Sequence, residues 1–297
     1  MIRPNYLKKG DTVAIVALAS KLNIEEIRPA IDLMQNDWGL NVVVGESVSA
    51  AYFGFAGDDE TRRRDFQQMI DNEEVKAIFS ARGGYGSSRI IDSIDFTEFK
   101  KNPKWIIGFS DITAVHCHLQ AMDYESLHAA MPKTMMKDDF SRDSLRKLLF
   151  GEELSYKANS HELNRLGTGK GELIGGNLCL LAHLLGSDSE PDTKNKILFI
   201  EDISEYLYNI DRMMVQLKRA GKLKDLAGLI VGDFSDSKEN DEPFGKTVYE
   251  IIAEHTAEYN YPISFGFPVG HESVNWAMPC GRMAELAVMD GEVKLRF

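Results

Sequence analysis

Several features that mark large classes of protein are missing from this sequence of 297 residues. No stretch approaches the roughly 18 uninterrupted apolar residues that a membrane-spanning helix needs. The N-terminal segment MIRPNYLKKGD reaches a proline and charged residues before any apolar run, so it does not have the pattern of a secretion signal. We therefore expect a cytoplasmic protein that does not associate with a membrane.

A basic surface is also missing. Lysine and arginine together number 34 against 46 acidic residues, which gives a net charge of -12, and no basic run or arginine stripe reverses this locally. Such a chain repels phosphate backbones and anionic lipids, so nucleic acid is not an expected partner. The 43% hydrophobic and 27% charged content is typical of a soluble globular protein, and the length suits about two domains.

Cysteine is scarce. The three cysteines, Cys117, Cys179 and Cys280, are far apart and form no Cys-x-x-Cys pair, which argues against a disulfide framework and against a cysteine-built zinc site. His116 and His118 are two positions apart on a predicted helix and would point in different directions, so they are a poor metal pair. We predict neither a metal nor another cofactor.

Short apolar runs alternate with amphipathic stretches over the first 130 residues. Strands are predicted at residues 12–18, 41–45, 75–81 and 104–108, with helices at residues 24–35 and 58–71 between them. This alternation predicts an α/β fold with parallel strands and helices on both faces. Ligands of such sheets bind at the carboxyl ends of the strands.

The pattern weakens into charged sequence between about residues 135 and 165, which we interpret as a linker containing one short helix. Beyond it the sequence predicts a strand and a helix with Asn177 as N-cap, a further strand, a helix that ends at Gly221, and another strand. Asp290 and Gly291 between two alternating runs predict a hairpin. The predicted domains are therefore residues 1–135 and 166–297, joined by a linker at 136–165.

The motif GFSD follows the fourth predicted strand and places Ser110 where a helix begins. A serine on a sharp turn from strand to helix can project its hydroxyl beyond the sheet, with backbone N–H groups aimed at an oxyanion. The usual G-x-S-x-G elbow would require glycine at position 112, which is Ile112 here. Since serine is also a preferred N-cap, the local pattern alone favours a helix cap.

The glycine-rich stretch ARGGYGSSR follows the third strand. Its glycines allow positive φ angles and exposed N–H groups, but it matches neither nucleotide-phosphate motif. Two interpretations remain open. The loop could supply an amide that faces Ser110, or it could be an ordinary tight turn with Arg82 in a surface ion pair.

Two residues of the second half could complete a catalytic group. Glu201 ends a predicted strand, although carboxylates at such positions also cap helices. His271 lies in the Gly- and Pro-rich loop FGFPVGHESVNWAMPCG, where side chains often serve function, although a plain surface histidine is the alternative. Together with Ser110 they follow the order serine, acid, histidine, which is one of several orders that triads use.

With these motifs the sequence resembles a known family, the LD-carboxypeptidases, which are serine peptidases of the S66 type. The resemblance covers nearly the whole chain, through YLKKGDTVAIVALAS, FAGDDETRRRDFQQMI, RGGYGSSRIID, IIGFSDITAVH, LIGGNLCLL, ILFIEDISEYLYNIDRMMVQL and PVGHESVNWAMPCG in one order. By position it implies a Ser110, Glu201, His271 triad. It also implies an oxyanion hole formed by the amides of Asp111 and of Gly84.

The resemblance implies an architecture as well. It predicts an N-terminal parallel-sheet sandwich similar to class I glutamine amidotransferases, a swivelling C-terminal α/β domain, and a homodimer. The implied reaction is hydrolysis, without metal, of the L,D-bond that releases terminal D-alanine from a murein tetrapeptide during cytoplasmic peptidoglycan recycling. One alternative is an amidase of the microcin C immunity type, which cleaves peptidyl or aminoacyl nucleotides. The other is a non-catalytic protein that binds small peptides.

Some positions depart from the family pattern or lack a motif of their own. Ala129 stands where many members read glycine, and Cys280 replaces a more usual aliphatic residue. Arg82 and Glu272 are candidates to meet the charged ends of a zwitterionic peptide, with structural ion pairs as the alternative. If Ser110 sits on a nucleophile turn, its φ angle should be positive.

Overall fold

The computed structural model describes all residues, 1–297. The chain forms a mixed α/β structure with two multi-stranded sheets, which confirms the predicted α/β class. The structure contains no helix with the length and apolar character needed to cross a membrane.

The first sheet has the strand order β11-β5-β4-β3-β1-β2. Its parallel strands are β1 (Thr12–Val16), β2 (Asn41–Val44), β3 (Val75–Ser80), β4 (Trp105–Gly108) and β5 (Ser126–His128), and β11 (Met278–Cys280) is antiparallel to β5. The helices that accompany this sheet are α1 (Arg28–Asn36), α2 (Asp59–Asp71), α3 (Thr97–Lys101), α4 (Thr113–Ala121) and α5 (Asp139–Phe150). Apolar side chains cover both faces of the sheet, in two separate buried clusters.

The second sheet has the order β10-β9-β8-β7-β12-β13-β6. Its strands are β6 (Ser155–Asn159), β7 (Gly167–Asn177), β8 (Ile197–Ile203), β9 (Gly228–Ser235), β10 (Ile263–Ser264), β12 (Met283–Val288) and β13 (Glu292–Arg296). Strands β7 to β10 are parallel, and the remaining pairs are antiparallel. The helices α6 (Leu178–His183), α7 (Leu207–Arg219) and α8 (Val248–His255) pack in one apolar cluster on this sheet.

Several local predictions are confirmed. Asn177 is the N-cap of α6, since its side chain accepts a hydrogen bond from the amide of Leu180. Helix α7 ends just before Gly221, and β12 and β13 form the predicted hairpin around Asp290 and Gly291. The single helix predicted at residues 24–35 is wrong in one respect. A 3₁₀ turn ends at Ile27, and α1 starts afresh with a proline in its first turn, where the missing N–H is not needed.

The segment predicted as a linker contains helix α5 and also β6, which forms the far edge of the second sheet. Strand β11 of the second half crosses back to extend the first sheet. The exact domain boundaries stay predictions. The chain nevertheless crosses between the two sheets more often than a single linker would require.

The two sheets meet through buried polar contacts. Thr113 Oγ1 accepts a hydrogen bond of 3.0 Å from the amide of Asn177, and Gly176 leaves room for that threonine, because a Cβ on Gly176 would lie 2.4 Å from Thr113 Oγ1. Further along, Glu125 accepts hydrogen bonds of 2.9 and 3.1 Å from Arg282. Since Thr113 begins α4 directly after the GFSD turn, the first contact joins the second sheet to the immediate neighbourhood of Ser110.

Candidate active site

The GFSD turn places Ser110 at the carboxyl end of β4, with φ of 65°, which confirms the predicted positive value. Gly108 makes the turn possible, because a Cβ there would lie 2.8 Å from the side chain of Ile112. Ser110 is not a helix cap. The N-cap position of the short 3₁₀ turn at Ser110–Ile112 belongs to Phe109, and no side chain caps this turn or α4. The strained backbone therefore serves something other than capping.

The glycine-rich loop after β3 lies directly against Ser110. A Cβ added to Gly83 would sit 3.0 Å from Ser110 Cβ and 3.2 Å from Ser110 Oγ. Gly84 and Gly86 have φ angles of 125° and 145°, which favour glycine. The backbone amides of Gly83 and Gly84 donate to no other group of the protein. The loop thus offers two free N–H groups next to the serine.

The carboxylate of Asp111 ties this loop to the serine turn. It accepts hydrogen bonds from the amides of Gly86, at 3.3 Å, and Ser87, at 2.8 Å, while the Ser87 hydroxyl donates to the Asp111 carbonyl at 2.6 Å. Burial raises the pKa of the Asp111 carboxyl, an effect that the hydrogen bonds from Ser87 and Gly86 oppose. Sequence reasoning assigned a role only to the Asp111 backbone.

Glu201, in strand β8, and His271, in the loop between β10 and β11, are brought together. Glu201 lies near the end of β8 and is fully buried, and its Oε2 lies 2.6 Å from His271 Nδ1. Burial lowers the pKa of His271, but the Glu201 carboxylate outweighs this effect, so the pKa lies above its ordinary value. Gly270 allows the approach, since a Cβ there would be 3.3 Å from Glu201 Cβ.

The turn of Ser110 lies beside this pair. The ring of Phe109, the residue before Ser110, packs edge-on against the His271 ring with 4.9 Å between centroids. The Ser110 hydroxyl does not form a hydrogen bond with His271 in this structure, whereas the bond between Glu201 and His271 is formed. The arrangement combines a half-exposed hydroxyl, free amides and an imidazole oriented by a carboxylate, which are the parts of a nucleophilic acyl-transfer site.

Two domains of one protein family match this chain. The LD-carboxypeptidase N-terminal domain matches residues 13–129, and the LD-carboxypeptidase C-terminal domain matches residues 170–286. The chain belongs to the LD-carboxypeptidase family. The N-terminal match covers the strand that carries Ser110, and the C-terminal match covers both Glu201 and His271.

Individual LD-carboxypeptidases and related structures agree with the match. A probable murein peptide carboxypeptidase from Bacillus subtilis (strain 168) is 36% identical, over 96% of this chain and 91% of its own length. The crystal structure of muramoyltetrapeptide carboxypeptidase from Oxalobacter formigenes superposes with a TM-score of 0.86 at 29% identity, over 96% of this chain and 97% of that one. The microcin C7 self immunity protein MccF, bound to aspartyl sulfamoyl adenosine, has the same fold, with a TM-score of 0.87 at 20% identity over 100% and 99% of the two chains.

Two acidic residues near the candidate site were not predicted from the sequence. Asp202 accepts hydrogen bonds from the Asn177 side chain and the Cys179 amide, and burial followed by the nearby Glu201 raises its pKa to about 7. Asp233 lies in β9, two residues before its end, and its pKa is also raised to about 7, by burial and then by Glu272 and Glu201. The only signal in sequence was that each carboxylate ends a predicted strand next to the catalytic candidates.

The candidates Arg82 and Glu272 differ in their surroundings. Arg82 donates to two backbone carbonyls, those of Lys21 at 3.0 Å and Gly83 at 3.2 Å, so it holds the base of the glycine-rich loop and forms no surface ion pair. Glu272 is exposed beside His271. The two departures from the family pattern, Ala129 and Cys280, are both fully buried, in two different apolar clusters.

Proposed function

We propose that this protein is a serine carboxypeptidase that hydrolyses the L,D-peptide bond before the terminal D-alanine of a murein tetrapeptide. One observation carries the proposal: the hydrogen-bonded Glu201 and His271 pair lies beside the strained turn of Ser110. Membership of the LD-carboxypeptidase family supports a serine-type hydrolase.

In the first step Ser110 Oγ attacks the scissile carbonyl while His271 removes the hydroxyl proton. Glu201 accepts a hydrogen bond from Nδ1 of the ring, which leaves Nε2 as the nitrogen that takes the proton. The raised pKa of His271 suits this role, since the imidazolium that forms is stabilised by the buried carboxylate. The hydrogen bond from Ser110 to His271 forms when substrate is present, as is common for catalytic contacts.

The negative charge on the carbonyl oxygen requires donors that are already in place. We assign this role to the amides of Asp111 and Gly84, with the peptide between Gly83 and Gly84 lying next to Ser110. The freedom of the Gly84 amide from other hydrogen bonds supports the assignment. Removing one such donor typically costs about 100- to 1000-fold in rate.

The tetrahedral intermediate then collapses. The bond to the D-alanine nitrogen breaks, and His271 returns its proton to the leaving amine. A water molecule, deprotonated by His271, attacks the acyl-Ser110 ester, and the tripeptide leaves with a new carboxylate. One proton is taken up and released in each half-reaction, so the free enzyme is restored.

The names of relatives support a murein peptide as substrate. The Bacillus relative is called a probable murein peptide carboxypeptidase, and the Oxalobacter protein is called a muramoyltetrapeptide carboxypeptidase. We propose that Glu272, exposed beside His271, meets a cationic group of this zwitterionic peptide. Arg82 would meet a carboxylate through the N–H groups that Lys21 and Gly83 leave free.

The biological setting belongs to the same proposal. We propose that the protein acts in the cytoplasm in peptidoglycan recycling, as a homodimer, with an amidotransferase-like first domain and a second domain that swivels. The boundaries near residues 135 and 165 are those expected for these units. Light scattering coupled to size-exclusion chromatography tests the dimer, because a monomeric mass at micromolar concentration would exclude it.

The substrate assay compares three compounds on one preparation: the murein tetrapeptide, its diastereomer with terminal L-alanine, and an aminoacyl sulfamoyl adenosine. We expect D-alanine release from the first at a rate at least 100-fold above the other two. The fold shared with MccF favours the nucleotide conjugate as the competing substrate. Cleavage of that conjugate without tetrapeptide turnover would replace our proposal with the amidase function, and binding without cleavage of any compound would favour a binding protein.

A further inference from the structure

A buried arginine of helix α2 contacts the end of the glycine-rich loop. Arg62 has no solvent exposure, and its Nη1 donates to the carbonyls of Leu18, at 2.7 Å, and Gly86, at 2.9 Å, while the guanidinium pairs with Asp59. Burying a guanidinium is costly unless its hydrogen bonds compensate. The two carbonyls, Leu18 and Gly86, belong to the loops that follow β1 and β3, so the buried guanidinium connects the backbones of these two loops.

Asp111 holds the same point of the loop from the other side. Gly86 gives its carbonyl to Arg62 and its amide to the Asp111 carboxylate, and Ser87 adds a second amide to that carboxylate. A Cβ on Gly86 would lie 2.4 Å from Arg62 Nη1, so only glycine fits between the two groups. A buried cation and a buried anion thus fix the two peptide groups that flank one glycine.

The other end of the loop is also anchored, while its middle is free. The Arg82 carbonyl accepts a hydrogen bond of 2.9 Å from the Ser80 hydroxyl, and the Arg82 guanidinium donates to Lys21. Between these anchors and Gly86, the amides of Gly83 and Gly84 have no partner within the protein. A loop with fixed ends and unused central amides is suited to present those amides to a ligand oxygen.

We propose that Arg62 is a positioning residue that acts with the Asp111 carboxylate to hold the glycine-rich loop at the distance from Ser110 that an oxyanion requires. The inference rests on the proposed function, because it takes the Gly84 amide as an oxyanion donor. It adds a buried residue of α2, which touches neither substrate nor Ser110. We call the two contacts of Gly86, with Arg62 and with the Asp111 carboxylate, the clamp. Loss of the clamp should weaken binding of the transition state and leave binding of the substrate nearly unchanged.

The test compares Arg62→Met, Arg62→Lys and the control Arg63→Met. Arg63 is the next residue of the same helix and forms only a surface pair with Glu60. For Arg62→Met we expect kcat to fall about 100- to 1000-fold with KM within about threefold and the acid limb of the pH profile unmoved. Arg62→Lys should recover part of the loss, since an ammonium reaches one carbonyl, and Arg63→Met should stay within about twofold.

Amide hydrogen exchange measured on the same variants separates the clamp from catalysis. Arg62→Met should speed exchange of the hydrogen-bonded amides of Gly86 and Ser87 while α8 keeps the parent's protection. Should Arg62→Met not fold, Asp111→Asn loosens the loop from the opposite side and carries the same two expectations. An unchanged loop exchange or a parental kcat in a folded variant overturns the clamp. A parent protein that hydrolyses no tetrapeptide defeats the proposed function instead, and the exchange result still decides whether Arg62 holds the loop.

Discussion

The two halves of the candidate active site are supported in different ways. On the first sheet, the turn of Ser110 and the glycine-rich loop are connected by the Asp111 carboxylate and held from behind by the buried Arg62. On the second sheet, the His271 ring is oriented by one hydrogen bond to Glu201, and the residue after it is exposed. Stabilising an oxyanion requires several donors at fixed positions, whereas a general base requires one defined orientation of a ring.

The two halves of the site are also connected to each other by a buried contact between the sheets. Thr113, Gly176 and Asn177 join the start of α4 to the end of β7, close to both halves. The distance from the serine to the histidine therefore depends on packing between the sheets as well as on each half. We call the Glu201 and His271 pair the base half of the site. Variants of this pair should have the largest effect, followed by variants of the contact at Gly176 and of the more distant Glu125.

Removing the base half should have the largest effect. His271→Ala should lower kcat by about 10⁶-fold, because a triad base and its nucleophile act as one unit. Glu201→Gln should lower kcat by about 10⁴-fold, since the glutamine amide favours the wrong tautomer of the ring. Both are measured as D-alanine release from tetrapeptide under saturating substrate. A Glu201→Gln variant as active as the parent would remove Glu201 from the catalytic group.

Gly176→Ala should disturb the contact between the halves. The new Cβ would meet Thr113 Oγ1 at 2.4 Å, on a backbone with φ of 143°. Strain and overpacking together should cost about 2 kcal/mol or more of unfolding free energy, measured by urea titration, and kcat should fall as well. Gly186→Ala is the matched control, because its φ is 83° but no atom lies within 4 Å of the added Cβ. Equal losses in both variants would mean that the contact contributes nothing beyond backbone strain.

Glu125→Gln should weaken the second connection between the sheets. Glu125 and Arg282 have side chains only 4% and 9% exposed, so the change leaves a buried guanidinium without its anion. We expect a loss of about 3 kcal/mol in unfolding free energy, with kcat nearly unaffected. Glu60→Gln, in an exposed pair with Arg63, should cost less than about 1 kcal/mol. A similar loss in the two variants would show that burial of this pair is unimportant.

The pH dependence of kcat/KM should report the coupling between Glu201 and His271, and we expect this effect to be the smallest of those considered. Because the pKa of His271 is raised above about 6.5, kcat/KM should rise about tenfold per pH unit up to a midpoint above that value. In Glu201→Gln the midpoint should move to lower pH, since the anion that raises the pKa is gone. The same shift contributes stability that is present below about pH 6.5 and lost as pH rises through the folded-state pKa. A midpoint that Glu201→Gln leaves in place would argue against this coupling.

The sequence predicted those parts of the fold that depend on local chemistry. The strained φ of Ser110, the N-cap at Asn177 and the hairpin at Asp290 all follow from a few neighbouring residues. Strand β6 was not predicted, because its sequence SYKAN is mostly polar, in keeping with its place at the edge of the second sheet. Strand β11 has only three residues and is a strand only through its pairing with β5, about 150 residues earlier in the chain.

The same distinction applies to the site. The three triad candidates could be named from motif order and resemblance. The residues that surround them and hold them in place could not. Arg62 cannot be told from its neighbours in sequence, the half-buried Arg63 and the exposed Arg64, and only the fold places it in the interior against Gly86. The pKa of Asp233 is raised by burial and then by Glu272 and Glu201, which are far away along the chain. Long-range proximity of charges leaves no pattern in a single sequence.

The most direct test of the account is the kinetics of Ser110→Ala, with tetrapeptide binding followed by calorimetry. We predict that kcat falls about 10⁶-fold while the dissociation constant stays within a few-fold of the parent's, because the serine acts only in the chemical step. A Ser110→Ala variant that releases D-alanine as fast as the parent would contradict the assignment of Ser110 as nucleophile.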